Sequence, residues 1–159
     1  MKRLWAPWRI EYILGEKDTA CIFCAAAGKD PERALLLYSG PLSTVLLNMY
    51  PYNNGHIMVS PARHVARLED LTPEESSDVF RLLQHSTTAL SEAMKPDGFN
   101  IGANLGRAAG AGIEDHIHFH VVPRWSGDSN FMPVLSEVRV MSEHLKSTFG
   151  RLAPFFSSI

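Results

Sequence analysis

His116-Ile117-His118-Phe119-His120-Val121-Val122-Pro123 is the stretch of this 159-residue sequence that decides the fold. Successive side chains of a β-strand point to opposite faces, so this β-favouring segment places its three imidazoles on one face. The apolar residues between the histidines are expected to pack inward. Imidazole titrates near neutral pH and binds metal ions, so the pattern indicates catalysis or metal binding. The alternative is a half-buried strand whose polar face carries histidines by chance.

The sequence around this segment predicts four more strands and one long helix. Apolar runs bounded by turn formers predict an antiparallel meander and a later strand, at Ala34–Tyr38, Ser43–Asn48, His56–Ser60 and Phe99–Asn104. Thr72-Pro73-Glu74-Glu75 supplies an N-cap, a first-turn proline and early acids, and apolar residues at helical spacing continue to Met94. Pro96-Asp97-Gly98 ends this helix, and a C-terminal helix is expected after Pro133. The order predicts an α+β fold with a mostly antiparallel five-stranded sheet.

Length and composition predict one domain spanning residues 1–159. Residues 1–20 are expected to form an irregular aromatic arm, and residues 126–159 a C-terminal extension. A net charge of −2 argues against an extended basic surface that would bind a nucleic acid polymer. No apolar run is long enough to span a bilayer, so we expect a cytoplasmic protein without a membrane partner.

A loop of small residues, Gly106–Gly112, leads into the histidine segment. Such a loop lets backbone N–H groups approach a phosphate closely, although it could equally be a flexible turn. Arg107 and Arg124 flank the histidines and could neutralise phosphate oxygens, or they could be solvated surface groups.

Two cysteines, Cys21 and Cys24, are too few for a disulfide framework. Their spacing is the one used in tetrahedral zinc sites. Reduced buried thiols and a redox pair are the alternatives, and the sequence lacks the βαβ pattern expected around a redox pair.

The histidine pattern, ending in Val122-Pro123-Arg124-Trp125, resembles the histidine triad family of nucleotidyl hydrolases and transferases. Asn48, Asn54-Gly55-His56 and Gly98-Phe99-Asn100 fall where that family keeps nucleotide-pocket residues. With the arm Leu4–Arg9 and the tail Trp125–Phe131, the sequence is similar over most of its length to the bacterial diadenosine tetraphosphate phosphorylase and hydrolase branch.

The resemblance implies covalent catalysis by the middle histidine, His118, at the α-phosphorus of a dinucleoside polyphosphate. His120 and His56 would donate hydrogen bonds to phosphate oxygens as charge develops. Asn48 matches a ribose contact and Asn104 a position near the phosphates, whereas the plainer interpretation is that both asparagines end strands at turns.

The sequence departs from the family pattern at Gly112, where many members carry a Gln or Ser that assists the leaving group or the incoming nucleophile. Backbone N–H groups from Gly110 to Ile113, including that of Gly112, would have to substitute. Phosphorolysis is favoured slightly over hydrolysis, and Gly112 leaves the choice open.

The resemblance also implies a structural zinc site that adds His64 and His116 to the two cysteines. Four protein ligands leave no open position, so the ion would not act as a Lewis acid. We expect no organic cofactor, a nucleotide as the small-molecule partner, and a homodimer. A Mg²⁺ ion could accompany the substrate, although the sequence offers no dedicated carboxylate cluster to hold it.

Three other functions stay open from the sequence. The same nucleophile could hydrolyse a purine nucleoside phosphoramidate. His116, His118 and His120 could together bind one catalytic metal ion, although alternate positions on one strand make that geometry awkward. The protein could also be a nucleotide-binding regulator with little turnover.

Overall fold

Five short apolar segments pair into one antiparallel sheet in the computed structural model, which describes residues 20–128, 143–157 and 159. The strands are β1 (Leu36–Ser39), β2 (Ser43–Leu47), β3 (Ile57–Pro61), β4 (Gly98–Gly102) and β5 (Phe119–Arg124), and their order across the sheet is β1-β2-β3-β5-β4. The predicted α+β class with a five-stranded antiparallel sheet is confirmed. Most of the predicted arm, and the helix start expected after Pro133, lie outside the described residues.

The helices are α1 (Ile22–Ala26), α2 (Pro31–Ala34), α3 (Pro73–Met94) and α4 (Leu145–Phe156), with single 3-10 turns at Leu68–Asp70 and Arg107–Ala109. Helix α3 begins as predicted, because Thr72 and Glu75 form a reciprocal capping box. It ends at Lys95, which adopts a left-handed φ of 51°. None of the described helices is long and apolar enough to cross a bilayer.

The prediction of a strand from Ala34 is wrong at its first residues. Asp30 accepts a hydrogen bond from the Arg33 amide and so caps α2, which takes up Ala34. Leu35 then turns the chain with a φ of 55°, and β1 begins only at Leu36. The predicted bounds of the next two strands and of β4 differ from the observed ones by one or two residues.

The histidine segment enters the sheet later than predicted, because β5 begins at Phe119. The amide of Ile117 donates to Val65 O at 2.7 Å and not to a strand. Pairing with β3 starts at the Val59–Phe119 pair, although β3 itself continues to Pro61. Two of the three histidines therefore lie ahead of the strand, and only His120 lies within it.

Alternation along the strands divides the core between the two faces of the sheet. One face packs against α3 and α4 through a large cluster to which β3 contributes Val59, β5 contributes Val121 and α4 contributes Leu152. The other face packs against α1 through a smaller cluster that includes Phe23 and Met58. His120 is the strand partner of Met58 and is adjacent in sequence to Val121, so it points to the α1 face. Ile117 and Val121 are buried and Phe119 packs on the large cluster, as predicted.

Candidate active site and metal cluster

Three of the predicted catalytic side chains meet on the α1 face of the sheet. His56 immediately precedes β3, His118 immediately precedes β5, and His120 is the second residue of β5. All three are buried, at 1%, 6% and 8% exposure. Phe23 of α1 lies 5.0 Å from the His118 ring, and the Tyr52 ring lies 4.6 Å from that of His56. Apolar and aromatic groups therefore enclose the imidazoles.

A chain of hydrogen bonds fixes the tautomers of His56 and His120. The Tyr52 amide can only donate, and it lies 3.0 Å from His56 Nδ1, so that nitrogen accepts. The proton of neutral His56 is then on Nε2, which donates to His120 Nδ1 at 2.9 Å. The proton of neutral His120 must be on Nε2, a buried atom without a hydrogen-bond partner among the described residues. The site thus contains an unused N–H donor.

His118 has the opposite arrangement. Its Nδ1 lies 2.9 Å from the backbone oxygen of His116, and because a carbonyl only accepts, Nδ1 carries the proton. The Nε2 atom of neutral His118 therefore holds a lone pair. The His118 and His120 rings are 4.9 Å apart and nearly perpendicular. A nucleophilic nitrogen and a hydrogen-bond donor consequently lie in neighbouring rings.

Burial favours the neutral form of His118 and of His120. Desolvation lowers the pKa of His118, and the hydrogen bond to the His116 carbonyl opposes that shift only partly. Desolvation, with a smaller contribution from His118, lowers the pKa of His120 to about 4. Because a protonated imidazole has no lone pair on Nε2, a lowered pKa favours the nucleophilic form at neutral pH.

The residues predicted to bind nucleotide differ in their burial and in their contacts. Asn48 follows β2, and its side chain accepts a hydrogen bond from the Tyr50 amide at 2.8 Å. This contact fits the plainer interpretation, in which Asn48 ends a strand at a turn. Asn104 is half-buried just after β4. Gly110 is exposed with a φ of 88°, and Gly112 is exposed with open space where a Cβ would stand. Ile113 packs against the cluster that contains Phe23. Their contacts to a nucleotide stay predictions.

The two arginines are engaged elsewhere. Arg124 forms a two-pronged ion pair with Asp128, at 2.7 and 2.8 Å, and also donates to Asn100. It lies four strand residues beyond His120, about 13 Å along β5. Arg107 is bonded to Glu114 at 2.8 Å and its side chain is 89% exposed. The structure therefore does not bring Arg124 to the imidazoles, and its predicted phosphate contact stays a prediction.

The four predicted metal ligands converge on one point beside α1. One ligand atom from each of Cys21, Cys24, His64 and His116 lies within 4.8 Å of every other. Three of the separations are 3.2, 3.3 and 3.6 Å. Zinc bonds of ordinary length to sulfur and nitrogen set ligand atoms about 3.3–3.8 Å apart in a tetrahedron, so the set fits Zn²⁺.

A hydrogen bond to His116 and a carboxylate near His64 orient the two imidazoles of this cluster. His116 Nε2 donates to Pro61 O at 2.9 Å, which leaves a lone pair on the Nδ1 atom that faces Cys21. Asp115 lies 3.7 Å from Nε2 of His64, the nitrogen opposite the one that faces Cys24. Burial, then Cys21 and Asp115, raise the pKa of the Cys24 thiol. Carboxylate and carbonyl partners of this kind orient histidine ligands in metal sites.

The orientation of His116 removes one alternative function. Because its Nδ1 faces the cysteines and its Nε2 is bonded to Pro61, this imidazole does not converge with His118 and His120. The interpretation in which all three histidines hold one catalytic metal ion is wrong for this geometry.

Sequence reasoning missed two groups that build the site. Tyr52, in a segment interpreted only as a turn, supplies the amide that fixes the His56 tautomer. Phe23 lies between the two cysteines and contacts both His116 and His118 at 5.0 Å. The position of Phe23 between the two cysteines was the available signal.

Comparisons with known proteins agree with this geometry. A profile described as the HIT domain matches residues 31–127. A Mycobacterium tuberculosis (strain CDC 1551 / Oshkosh) protein named AP-4-A phosphorylase is 37% identical over 162 residues, which cover 96% of this chain and 83% of that protein. A Schizosaccharomyces pombe (strain 972 / ATCC 24843) protein named bis(5'-nucleosyl)-tetraphosphatase [asymmetrical] is 31% identical over 128 residues, which cover 80% of this chain and 66% of that protein.

A solved structure adds a further comparison. The crystal structure of a zinc-bound histidine triad family protein from Mycobacterium smegmatis superposes with a TM-score of 0.69 and 31% sequence identity. The match covers 87% of this chain and 94% of that one.

Proposed function

This chain belongs to the HIT domain family, and from that premise we propose that it is an enzyme that cleaves dinucleoside polyphosphates at the α-phosphate through His118. The observation that carries the proposal is the pair of opposed tautomers: a lone pair on His118 Nε2 beside an unused N–H on His120 Nε2. The relatives named as a phosphorylase and a tetraphosphatase support the substrate class.

In the first step, His118 Nε2 attacks the α-phosphorus and the bond from that phosphorus to the bridging oxygen breaks. With diadenosine tetraphosphate, ATP leaves and AMP becomes linked to the imidazole. The Nδ1 proton stays on the ring and donates to the His116 carbonyl, which stabilises the positive charge that the ring acquires. The Nε2–H of His120 donates to a non-bridging oxygen as negative charge develops there.

In the second step, an incoming oxygen nucleophile breaks the bond between His118 and phosphorus. Inorganic phosphate yields ADP, and water yields AMP. We favour phosphate, because the relative named as a phosphorylase matches nearly the whole chain. Gly112 offers no side chain to activate a water molecule, so backbone N–H groups of the Gly110–Ile113 segment would bind the nucleophile or the leaving group.

We also propose that Cys21, Cys24, His64 and His116 hold a structural Zn²⁺ ion. The ion would cross-link α1 to the segment before β5, and four protein ligands would leave it no Lewis-acid role.

A Mg²⁺ ion would arrive with the polyphosphate, since the two arginines that flank the histidine segment in the sequence are paired with Glu114 and Asp128. A cytoplasmic location, which suits two reduced thiols, stays a prediction.

A homodimer is the proposed assembly. Strand β4 is an edge of the sheet, with β5 on one side, and Ile101 on it is 50% exposed. An exposed edge with an apolar side chain favours pairing with a second chain. Sedimentation of the wild-type protein and of Ile101→Lys tests this: we expect a dimer that the substitution converts to monomer, and a wild-type monomer would contradict the proposal.

Product analysis after incubation with diadenosine tetraphosphate tests the activity. The reaction is run with and without inorganic phosphate, and anion exchange separates the nucleotides. We expect ATP with ADP when phosphate is present, and no nucleotide product from His118→Ala.

Each other outcome has a distinct meaning. ATP with AMP, whether or not phosphate is added, would make the enzyme a hydrolase. Cleavage of adenosine phosphoramidate alone would support the phosphoramidate alternative, and nucleotide binding without His118-dependent product would support the regulator.

A further inference from the structure

The loop of residues 51–56 carries His56 and the Tyr52 amide, and a partly buried polar cluster ties this loop to helix α4. We call the side chains of Asn54, Glu143, Thr148 and Arg151 the α4 cluster. Asn54 is 8% exposed and Thr148 is fully buried. None of the four side chains takes part in the two proposed reaction steps, although Asn54 lies in a segment that resembles the nucleotide pocket of the family, so the cluster requires its own explanation.

The hydrogen bonds of the α4 cluster are directional. The Thr148 hydroxyl has one proton and three acceptors within reach, which are Asn54 Oδ1 at 3.1 Å, Glu143 Oε2 at 2.8 Å and the His144 carbonyl oxygen at 3.4 Å. Asn54 Nδ2 donates to the same Glu143 oxygen at 3.3 Å. Arg151 pairs with the other oxygen of that carboxylate at 2.6 Å. The position of the Asn54 side chain is therefore fixed by angles as well as by packing.

Helix α4 is a firm support for these contacts. Thr148, Leu152 and Phe156 recur every four residues and so share one face of the helix. Leu152 is 0% exposed and Phe156 is 2% exposed, and both belong to the large core cluster. Movement of Thr148 would require movement of this core face.

Asn54 and His56 are only two residues apart in this loop, so a shift of Asn54 would also move His56. The Asn54 amide donates to Asn53 Oδ1 at 3.0 Å, and the His56 amide donates to Asn53 O at 3.2 Å. Gly55 between them adopts a φ of 77°, which closes the turn. The Tyr52 amide reaches His56 Nδ1 across this same turn. Release of Asn54 would therefore disturb the contact that fixes the His56 tautomer.

We propose that Thr148 and Asn54 are positioning residues: they hold the 51–56 loop where the Tyr52 amide donates to His56 Nδ1, and thereby determine that His120 presents an N–H at Nε2. The effect on rate rests on the proposed function, in which that N–H stabilises the transferred phosphoryl group. The effect on the tautomers does not depend on any substrate.

Thr148→Val tests the proposal, because valine keeps the shape of threonine and removes the hydroxyl. Thr148→Ser restores the hydroxyl. The matched control is Thr44→Val, which removes another buried hydroxyl, one that bonds Ser60 Oγ at 2.8 Å between β2 and β3. Glu143→Ala, at a partly exposed residue ahead of α4, serves as a second variant should Thr148→Val fail to fold.

Two measurements are made on each folded variant. Imidazole ¹⁵N resonances report which ring nitrogen of His56 and His120 is protonated, without substrate. Steady-state kinetics with diadenosine tetraphosphate report kcat and KM separately. For Thr148→Val we expect a mixture of His56 tautomers and a kcat reduced about tenfold to a hundredfold with little change in KM. Serine should restore both, and Thr44→Val should leave the resonances as in the wild type.

Unchanged imidazole resonances in Thr148→Val and Glu143→Ala would overturn the proposal, and so would an equal change in Thr44→Val. If the wild type cleaves no dinucleoside polyphosphate, the proposed function fails. The ¹⁵N spectra would still decide whether the α4 cluster sets the tautomers.

Discussion

Acid should destabilise this protein through His120, and the effect can be isolated with His120→Gln. His120 Nδ1 already accepts the His56 Nε2–H, so a second proton on this ring must displace that hydrogen bond. Its ring neighbours among the described residues are His56, His118 and Tyr52, none of which carries a carboxylate. Protonation of His120 is therefore unfavourable in the folded state.

The sign and size of the effect follow from the pKa. Unfolding returns the pKa of His120 from about 4 to its ordinary value of 6.5. Between these two values the unfolded chain binds more protons than the folded one, so the free energy of unfolding falls as the pH falls. At about 1.4 kcal/mol for each tenfold change in proton affinity, the loss approaches about 3 kcal/mol when the pH reaches 4.

Urea unfolding of the wild type and of His120→Gln between pH 8 and pH 4 measures this loss. Glutamine cannot titrate. The free energy of unfolding of the wild type minus that of His120→Gln should therefore fall by about 3 kcal/mol from pH 8 to pH 4. At pH 8 both side chains are neutral, and the difference there reports packing and the hydrogen bond with His56. Parallel curves, or a pKa of His120 near 6.5 by NMR titration, would refute the tautomer chain on which the site is built.

Three further substitutions have definite expected outcomes. Cys24→Ser should lower the zinc content of the purified protein, measured by elemental analysis, and reduce its melting temperature. Glu75→Gln should cost about 1–3 kcal/mol in urea unfolding, because the buried Glu75 carboxylate pairs with Arg63 and completes the α3 capping box. Gly112→Ser should fold normally, since open space surrounds that position, and should raise the ratio of AMP to ADP among the products.

Local sequence signals predicted those parts of the fold that depend on local contacts. Thr72 and Glu75 lie three residues apart, and their capping box starts α3 where the sequence indicated. The alternation of Ile117, Phe119 and Val121 predicted which side chains enter the core. Each of these signals comes from residues that are close together in the sequence, so it can be recognised without the structure.

The parts that could not be predicted depend on contacts between distant residues. The start of β5 depends on the Ile117 amide, which donates to Val65 and not to a strand. The link between Thr148 and Asn54 joins residues 94 positions apart. The tautomer of His56 depends on a backbone amide, which every residue except proline carries, so residue type gives no sign of it.

His116 makes the metal cluster and the proposed nucleophile parts of one structure. Its side chain faces the cysteines through Nδ1, and its backbone oxygen accepts the proton of His118 Nδ1. A Zn²⁺ ion bound at the cluster would therefore restrain the carbonyl that holds the His118 tautomer, without touching the reacting phosphorus. Because proton position decides whether His118 Nε2 has a lone pair, an ion with no open coordination site can still influence the rate. In the proposed function, the side chain and the backbone of this one residue would thus serve a structural and a catalytic role.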